Sequence, residues 1–199
     1  MHNLYSQPGK IAFEERCQQY QQQPVIFWFT GLSGAGKTTL AQEFEKWLFD
    51  RRYLAALLDA DMIRKHINAD LGFSMEDRRE NIRRASAITR FFQEAGLIVL
   101  ATFISPTTAI RNMARDAARE GLFVEIYVKA DIETCVARDP KGFYRKALQG
   151  DIKDYTGIAS AYEPPQHPEL VLDTGSDDVE TCLKKIIALA NRFGIQDRE

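Results

Sequence analysis

The chain has 199 residues, 45% of them hydrophobic and 27% charged, which is the balance of one soluble globular domain with a sizeable core. A formal net charge of −2 carries no general signature of polyanion binding, and no apolar stretch approaches membrane-spanning length, so neither nucleic acid nor a membrane is an expected partner. The start, Met1-His2-Asn3-Leu4-Tyr5, lacks a basic region followed by an apolar one, and Cys17, Cys135 and Cys182 show no C-x-x-C spacing, so a reducing cytoplasm without disulfides is expected.

Residues 1–24 are polar and glutamine-rich, end on Pro24, and read as a loose or weakly helical lead-in to a single domain over 25–199. Short apolar runs then alternate with segments of helical period. The expected strands are 25–30, 54–58, 97–103, 122–128 and 169–173; the expected helices are 37–51, 61–69, 76–95, 107–120, 131–138 and 177–193. Strands that are apolar on both faces, separated by helices, predict an α/β fold with a five-stranded parallel sheet covered on both sides. Gly96 and Gly121 stand where helix C-caps are expected. Ligands of such a sheet bind beyond the carboxyl ends of its strands.

The first strand runs straight into Gly31-Leu32-Ser33-Gly34-Ala35-Gly36-Lys37-Thr38, followed by the helical pattern that opens at Thr39. This is a complete G-x-x-x-x-G-K-[ST] phosphate loop in its strand–loop–helix context. Its glycines let backbone N–H groups converge on phosphate oxygens, and the helix N-terminus adds positive potential. Lys37 can reach the β- and γ-phosphates, and the Thr38 hydroxyl can hold Mg²⁺. A plain glycine-rich turn explains the glycines but not Lys-Thr at this offset. A nucleoside triphosphate is the expected ligand.

Asp59-Ala60-Asp61 follows the second strand. One carboxylate can hold a Mg²⁺ water and the other can accept the proton of an acceptor hydroxyl, although Asp61 also suits a helix N-cap. In the helix opening at Glu76, Arg78 and Asn81 share one face; most of the other charges there read as a solvated face, and spacing alone does not say which arginine meets a ligand. Phe73 reads as a core plug, and Ser105, before Pro106, as an N-cap with proline in the first turn. Segment 139–168 is long, basic and aromatic, and reads as a lid. The three histidines are scattered without metal-ligand spacing, and the guanine-reading Asn-Lys-x-Asp is absent.

Together these residues resemble the adenylylsulfate kinase (APS kinase) family, over about Val25 to Thr174. The resemblance rests on the phosphate loop, Leu58-Asp59-Ala60-Asp61-Met62-Ile63-Arg64, Asp70-Leu71-Gly72-Phe73-Ser74, and the run Glu76 to Arg84. Phe103-Ile104-Ser105-Pro106, Arg138-Asp139-Pro140-Lys141-Gly142 and Tyr162-Glu163-Pro164-Pro165 complete it. It implies a P-loop kinase that uses ATP to phosphorylate the 3′-hydroxyl of adenosine 5′-phosphosulfate (APS), working as a homodimer. By the resemblance, Asp61 is the base or acceptor-orienting group and Asp59 helps place Mg²⁺. Arg64, Arg78 and Asn81 hold the acceptor's phosphosulfate and sugar. Phe73 and Tyr155 sandwich its adenine, and Ile104 lines the same pocket. Arg138 joins the ATP site, and Lys141 comes from the lid onto the transferring phosphate. The family convention marks Ser105 as a phosphoserine intermediate, whereas physical reasoning favours direct in-line transfer with Ser105 lining the pocket. The chain departs from the family at Ala60 (usually glycine), Met62 (usually asparagine) and Tyr155 (usually phenylalanine). Two other readings remain: a related kinase for another small acceptor, and a nucleotide-binding subunit without catalysis. The intact Lys37, Thr38, Asp61 and Lys141 speak against the second.

Overall fold

The computed structural model describes residues 9–140, 142–152 and 155–198. Its centre is a five-stranded sheet, all parallel, of strands β1 (Ile26–Thr30), β2 (Ala55–Asp59), β3 (Ile98–Thr102), β4 (Phe123–Lys129) and β5 (Leu170–Asp173), in the order β2-β3-β1-β4-β5. All five expected strands are present, each within a residue of its expected bounds.

The helices lie on both faces, and the side-chain alternation of β1 decides which. Phe27 and Phe29 point to one face, where α2 (Lys37–Asp50) contributes Leu40, Phe44 and Leu48, and α8 (Val179–Ala190) contributes Cys182 and Ile186. Phe27 meets Phe44 edge-on, with ring centroids 5.2 Å apart. Ile26 and Trp28 point to the other face, against Ile82 and Ala85 of α4 (Met75–Glu94) and Ile110 and Ala114 of α5 (Thr108–Ala117). Trp28 stacks on Phe103 at 4.9 Å. A strand apolar on both faces is therefore buried on both, as its composition requires. The cysteines behave as expected of core residues: burial pushes the Cys135 and Cys182 thiols up, away from the reactive thiolate.

Five local expectations are corrected. The lead-in contains a regular helix, α1 (Phe13–Tyr20), and Gln22 behind it is buried. The Gln22 amide donates to Leu54 O and Gly96 O and accepts from Leu54 N, so it stitches this segment to the sheet edge. Segment 139–168 carries a helix, α7 (Phe143–Leu148), between its glycines. The N-cap of α3 (Ala60–His66) is Asp59, whose carboxylate accepts from Asp61 N; Asp61 itself sits inside the first turn. The N-cap of α5 is Thr107, two residues beyond Ser105, because the chain must first turn through Pro106. Gly96 follows the last residues of α4 with φ 93°, but α5 stops well short of Gly121, which serves a turn instead. The remaining helix, α6 (Ile132–Arg138), is capped by Asp131.

Gly31 is the position where the fold and the phosphate loop constrain each other. Its φ is 147°, and a Cβ there would lie 2.2 Å from the backbone oxygen of Val128 in β4. The loop thus leaves β1 pressed against the neighbouring strand, a contact that only glycine permits. Gly121 also has positive φ, at 73°, but a Cβ there meets nothing within 4 Å. Urea unfolding should separate the two effects. Gly121→Ala should cost about 1–2 kcal/mol, the left-handed backbone penalty alone, whereas Gly31→Ala should cost about 3 kcal/mol or more. Equal losses would contradict this account of Gly31.

Candidate active site

The strand ends open into one cleft of about 650 Å³. One wall is the phosphate loop. Ser33, Gly34, Gly36, Lys37, Thr38 and Thr39 line it, while Gly31, Leu32 and Ala35 form its supporting underside. Gly34 and Gly36 take φ of 77° and 98°, the left-handed conformation that glycine adopts without a side-chain clash. The Lys37 amine curls under the loop and donates to Gly31 O at 2.9 Å and Leu32 O at 2.7 Å. Arg138 reaches over from α6 and donates to Thr174 O at 2.6 Å and Thr174 Oγ1 at 3.2 Å, which fixes its guanidinium at the rim beside Gly34.

Asp59 and Asp61 stand at the middle of the cleft. Asp59 Oδ2 accepts from Thr38 Oγ1 at 2.8 Å and from Thr102 Oγ1 at 3.0 Å, and its Oδ1 accepts from Asp61 N at 2.9 Å. One carboxylate therefore binds the start of α2, the end of β3 and the start of α3. Asp61 is held on that first turn, exposed to the cleft.

The opposite wall comes from α3, α4 and the chain after β3. Arg78 and Asn81 are buried on the inner face of α4, at 8% and 4% exposure, which resolves which charge of that helix turns inward. Arg78 donates to Phe73 O and to Thr156 Oγ1, and Asn81 Oδ1 accepts from Asn68 Nδ2 at 2.9 Å. Arg83 and Arg84 instead pair outside with Glu80 and Asp70 and hold the Glu80 carboxyl at about 2. Arg64 donates to Gly72 O; its pKa is lowered by burial first and by the Arg78 guanidinium second. Two guanidiniums on one wall make that end of the cleft receptive to an anion. Phe73 is half-exposed, with the Arg64 guanidinium 4.6 Å above its ring, so it is no core plug. Tyr155 also lines the cleft, edge-on to Tyr144 at 5.0 Å. Ala60 lies in the wall beside the aspartates, while Met62 is exposed.

Ile104 and Ser105 complete the wall. Ser105 is 2% exposed and its φ is 40°, unusual for a residue with a side chain. Its hydroxyl accepts from Trp28 Nε1 at 3.1 Å and donates to Thr30 Oγ1 at 3.0 Å. Thr30 in turn donates to Ile104 O at 2.7 Å and accepts from the Tyr162 hydroxyl at 2.9 Å. Among the described residues, no carboxylate or imidazole is hydrogen-bonded to the Ser105 hydroxyl. Lys141 lies outside the described residues.

The structure thus gathers the expected site residues it describes around one cleft. The sequence reading missed Thr102 and Thr156 as parts of the wall, and Trp28, Thr30 and Arg111 as buried supports behind it. Tyr162 was legible only as one residue of a motif. Glu125, a single carboxylate in the apolar run 122–128, was the one available hint of a buried cationic partner, and that partner is Arg111.

Comparison with known proteins agrees with this geometry. The family model described as adenylylsulphate kinase matches residues 23–173. The chain is 45% identical to the adenylyl-sulfate kinase of Marinobacter nauticus over 199 residues, covering 100% of this chain and 98% of that one. It is 47% identical to the enzyme of the same name from Clostridium acetobutylicum over 185 residues, covering 93% and 92%. A solved structure of the Mycobacterium tuberculosis APS kinase CysC, in complex with AMPPNP and APS, superposes with a TM-score of 0.82 at 38% identity, covering 85% of this chain and 99% of that one. The chain belongs to the adenylylsulphate kinase family.

Proposed function

We infer that this chain transfers the γ-phosphoryl group of ATP to the 3′-hydroxyl of APS, giving 3′-phosphoadenosine 5′-phosphosulfate and ADP. The observation that carries this reading is the continuity of the cleft. A phosphate loop, a carboxylate on a helix start and a two-arginine wall share one cavity. Family membership supplies the acceptor's identity.

The division of labour follows from charge. Backbone amides of the loop and Lys37 take the β- and γ-phosphate oxygens, and the Arg138 guanidinium flanks the nucleotide. Arg64, Arg78 and Asn81 take the acceptor's phosphosulfate and sugar, with Phe73 and Tyr155 against its adenine, each face contributing about 1–3 kcal/mol by analogy with base stacking elsewhere. Asp61 orients the ribose hydroxyl and accepts its proton. Mg²⁺ takes oxygen ligands and keeps several waters. The Thr38 hydroxyl and the Asp59 carboxylate, 2.8 Å apart, are a donor pair that fits it. When bound, the ion screens the charge of the phosphoryl oxygens. Segment 139–168, with Lys141, closes over the phosphates as a lid. A cytoplasmic homodimer is part of the same proposal; no helix among the described residues is long and apolar enough to cross a membrane.

Direct transfer is favoured over a phosphoserine because the Ser105 hydroxyl donates to the scaffold, at Thr30 Oγ1 with Phe103 O as the alternative, and among the described residues no base is hydrogen-bonded to it. The Ser105→Ala variant should therefore keep turnover within about tenfold of the parent, since it removes one buried hydrogen-bonding group worth about 1 kcal/mol. Near-total loss with an intact fold would contradict direct transfer.

The reading itself is tested by acceptor-dependent ADP release. APS should drive it far above a panel of nucleosides and sugars, and Asp61→Asn should lower kcat by about 10²–10⁴-fold with the melting temperature preserved. Background rates with APS, or equal rates across the panel, would overturn the assignment. Full activity of Asp61→Asn would overturn the role of the carboxylate.

A further inference from the structure

The pocket loop at Ser105 holds a left-handed backbone conformation without a glycine, and Pro106 narrows the choices of Ser105 further. Something must hold it there. The side-chain bonds to Trp28 and Thr30 account for the hydroxyl. The carbonyl is held separately: Arg111, on the first turn of α5 and 3% exposed, donates from Nη1 to Ser105 O at 3.0 Å. Its Nη2 donates to Thr108 Oγ1 at 3.3 Å, and its Nε stands 2.7 Å from Glu125 Oε1 in the middle of β4. Glu125 is buried too, so this is a close ion pair rather than a well-aligned hydrogen bond. Glu125 is itself backed by Arg115 and, through its backbone N–H, by Glu169. The same loop is gripped from the lid's exit, where Glu163 N donates to Pro106 O and Glu163 Oε2 accepts from Thr108 N.

We propose that Arg111, braced by Glu125, is a positioning residue that sets the acceptor wall. The guanidinium converts the rigidity of β4 into a fixed place for the Ser105 carbonyl, and so for Ile104 and Ser105 where they line the cleft. Its planar fork is what lets one side chain address β4, α5 and the loop at once. A lysine ammonium pairs with Glu125 but cannot span to Ser105 O at the same time. Among the described residues, the polar partners of the Arg111 guanidinium are Ser105, Thr108 and Glu125, none of them in the phosphate loop, α2 or α6. This inference rests on the kinase reading above.

Arg111→Lys is the first test, with steady-state kinetics measured against each substrate. The expected result is a fall in kcat/KM for APS of about tenfold or more, as for a small misplacement at a reacting centre, with KM for ATP within about twofold of the parent. Because a buried carboxylate is left badly paired in any arginine truncation, the second variant is Arg111→Leu combined with Glu125→Leu, in which apolar packing restores thermal stability. The acceptor defect should persist in that variant despite the restored melting temperature. Normal APS kinetics in either variant, or parallel losses for ATP and APS, would overturn the proposal. Absence of APS-dependent ADP release in the unsubstituted chain would strike the kinase reading instead, so the two failures are distinguishable.

Discussion

The carboxylate of Asp59 is the point at which the two halves of the cleft are joined. It accepts hydrogen bonds from the helix that follows the phosphate loop, from the end of the adjacent strand and from the first turn of the acceptor helix. Hydrogen bonds to an ionised acceptor are roughly twice as strong as neutral ones. Here they connect elements far apart in sequence. β2 is an edge strand, held on one side only by β3. Without the Thr38 and Thr102 bonds, the edge strand's carboxyl end, and with it the start of α3, would be free to drift from the phosphate loop. Asp61 and Arg64 ride on that helix, so the place of Asp59 decides where their side chains stand in the cleft.

The sheet supplies the rigidity on which this junction depends. β1 is buried on both faces and paired on both edges, and the phosphate loop leaves it pressed against the backbone of β4. Sites built on such elements are held more precisely than sites built on loops. The segment after β3 is the exception, because it is irregular chain in the cleft wall. It is kept in place by polar bonds from Trp28, Thr30, Arg111 and Glu163, with Tyr162 bonded to Thr30 behind them. That the loop spends its side-chain hydroxyl on the scaffold is the reason Ser105 suits a wall better than a nucleophile. The fold alone would not decide the chemistry, since doubly wound sheets with a phosphate loop serve many acceptors. Family membership supplies the acceptor's identity, and the carboxylate on α3 and the guanidiniums of Arg64 and Arg78 in the same cleft are compatible with it.

Much of this was legible in the chain. Five apolar runs became five strands because parallel sheets bury both faces, and the phosphate loop is written in glycine spacing that few other structures need. Asp59 and Asp61 were found by position relative to those runs, whereas spacing placed Arg78 and Asn81 on one helical face and only the family resemblance gave them a site role. What stayed hidden depends on contacts distant in sequence. The lead-in helix is tied down by contacts distant in sequence: Arg119 lies over Phe13, and the Gln22 that follows the helix has partners 32 and 74 residues away. α7 is short and sits between glycines, below the length at which helical period is readable. Whether Asp59 or Asp61 caps α3 turns on where the strand ends, a boundary that local pattern places only to within a few residues. Arg111 had no reading of its own in the sequence, and it is buried against a carboxylate on β4.

The central physical claim is that donor and acceptor meet in one cleft and the phosphoryl group passes between them in a single in-line step. The most direct measurement is the stereochemical course with ATP made chiral at the γ-phosphorus by oxygen isotopes. One displacement inverts the configuration in the 3′-phosphorylated product, and inversion is the result this account predicts. Net retention would reveal two displacements through a phosphorylated enzyme and would contradict it.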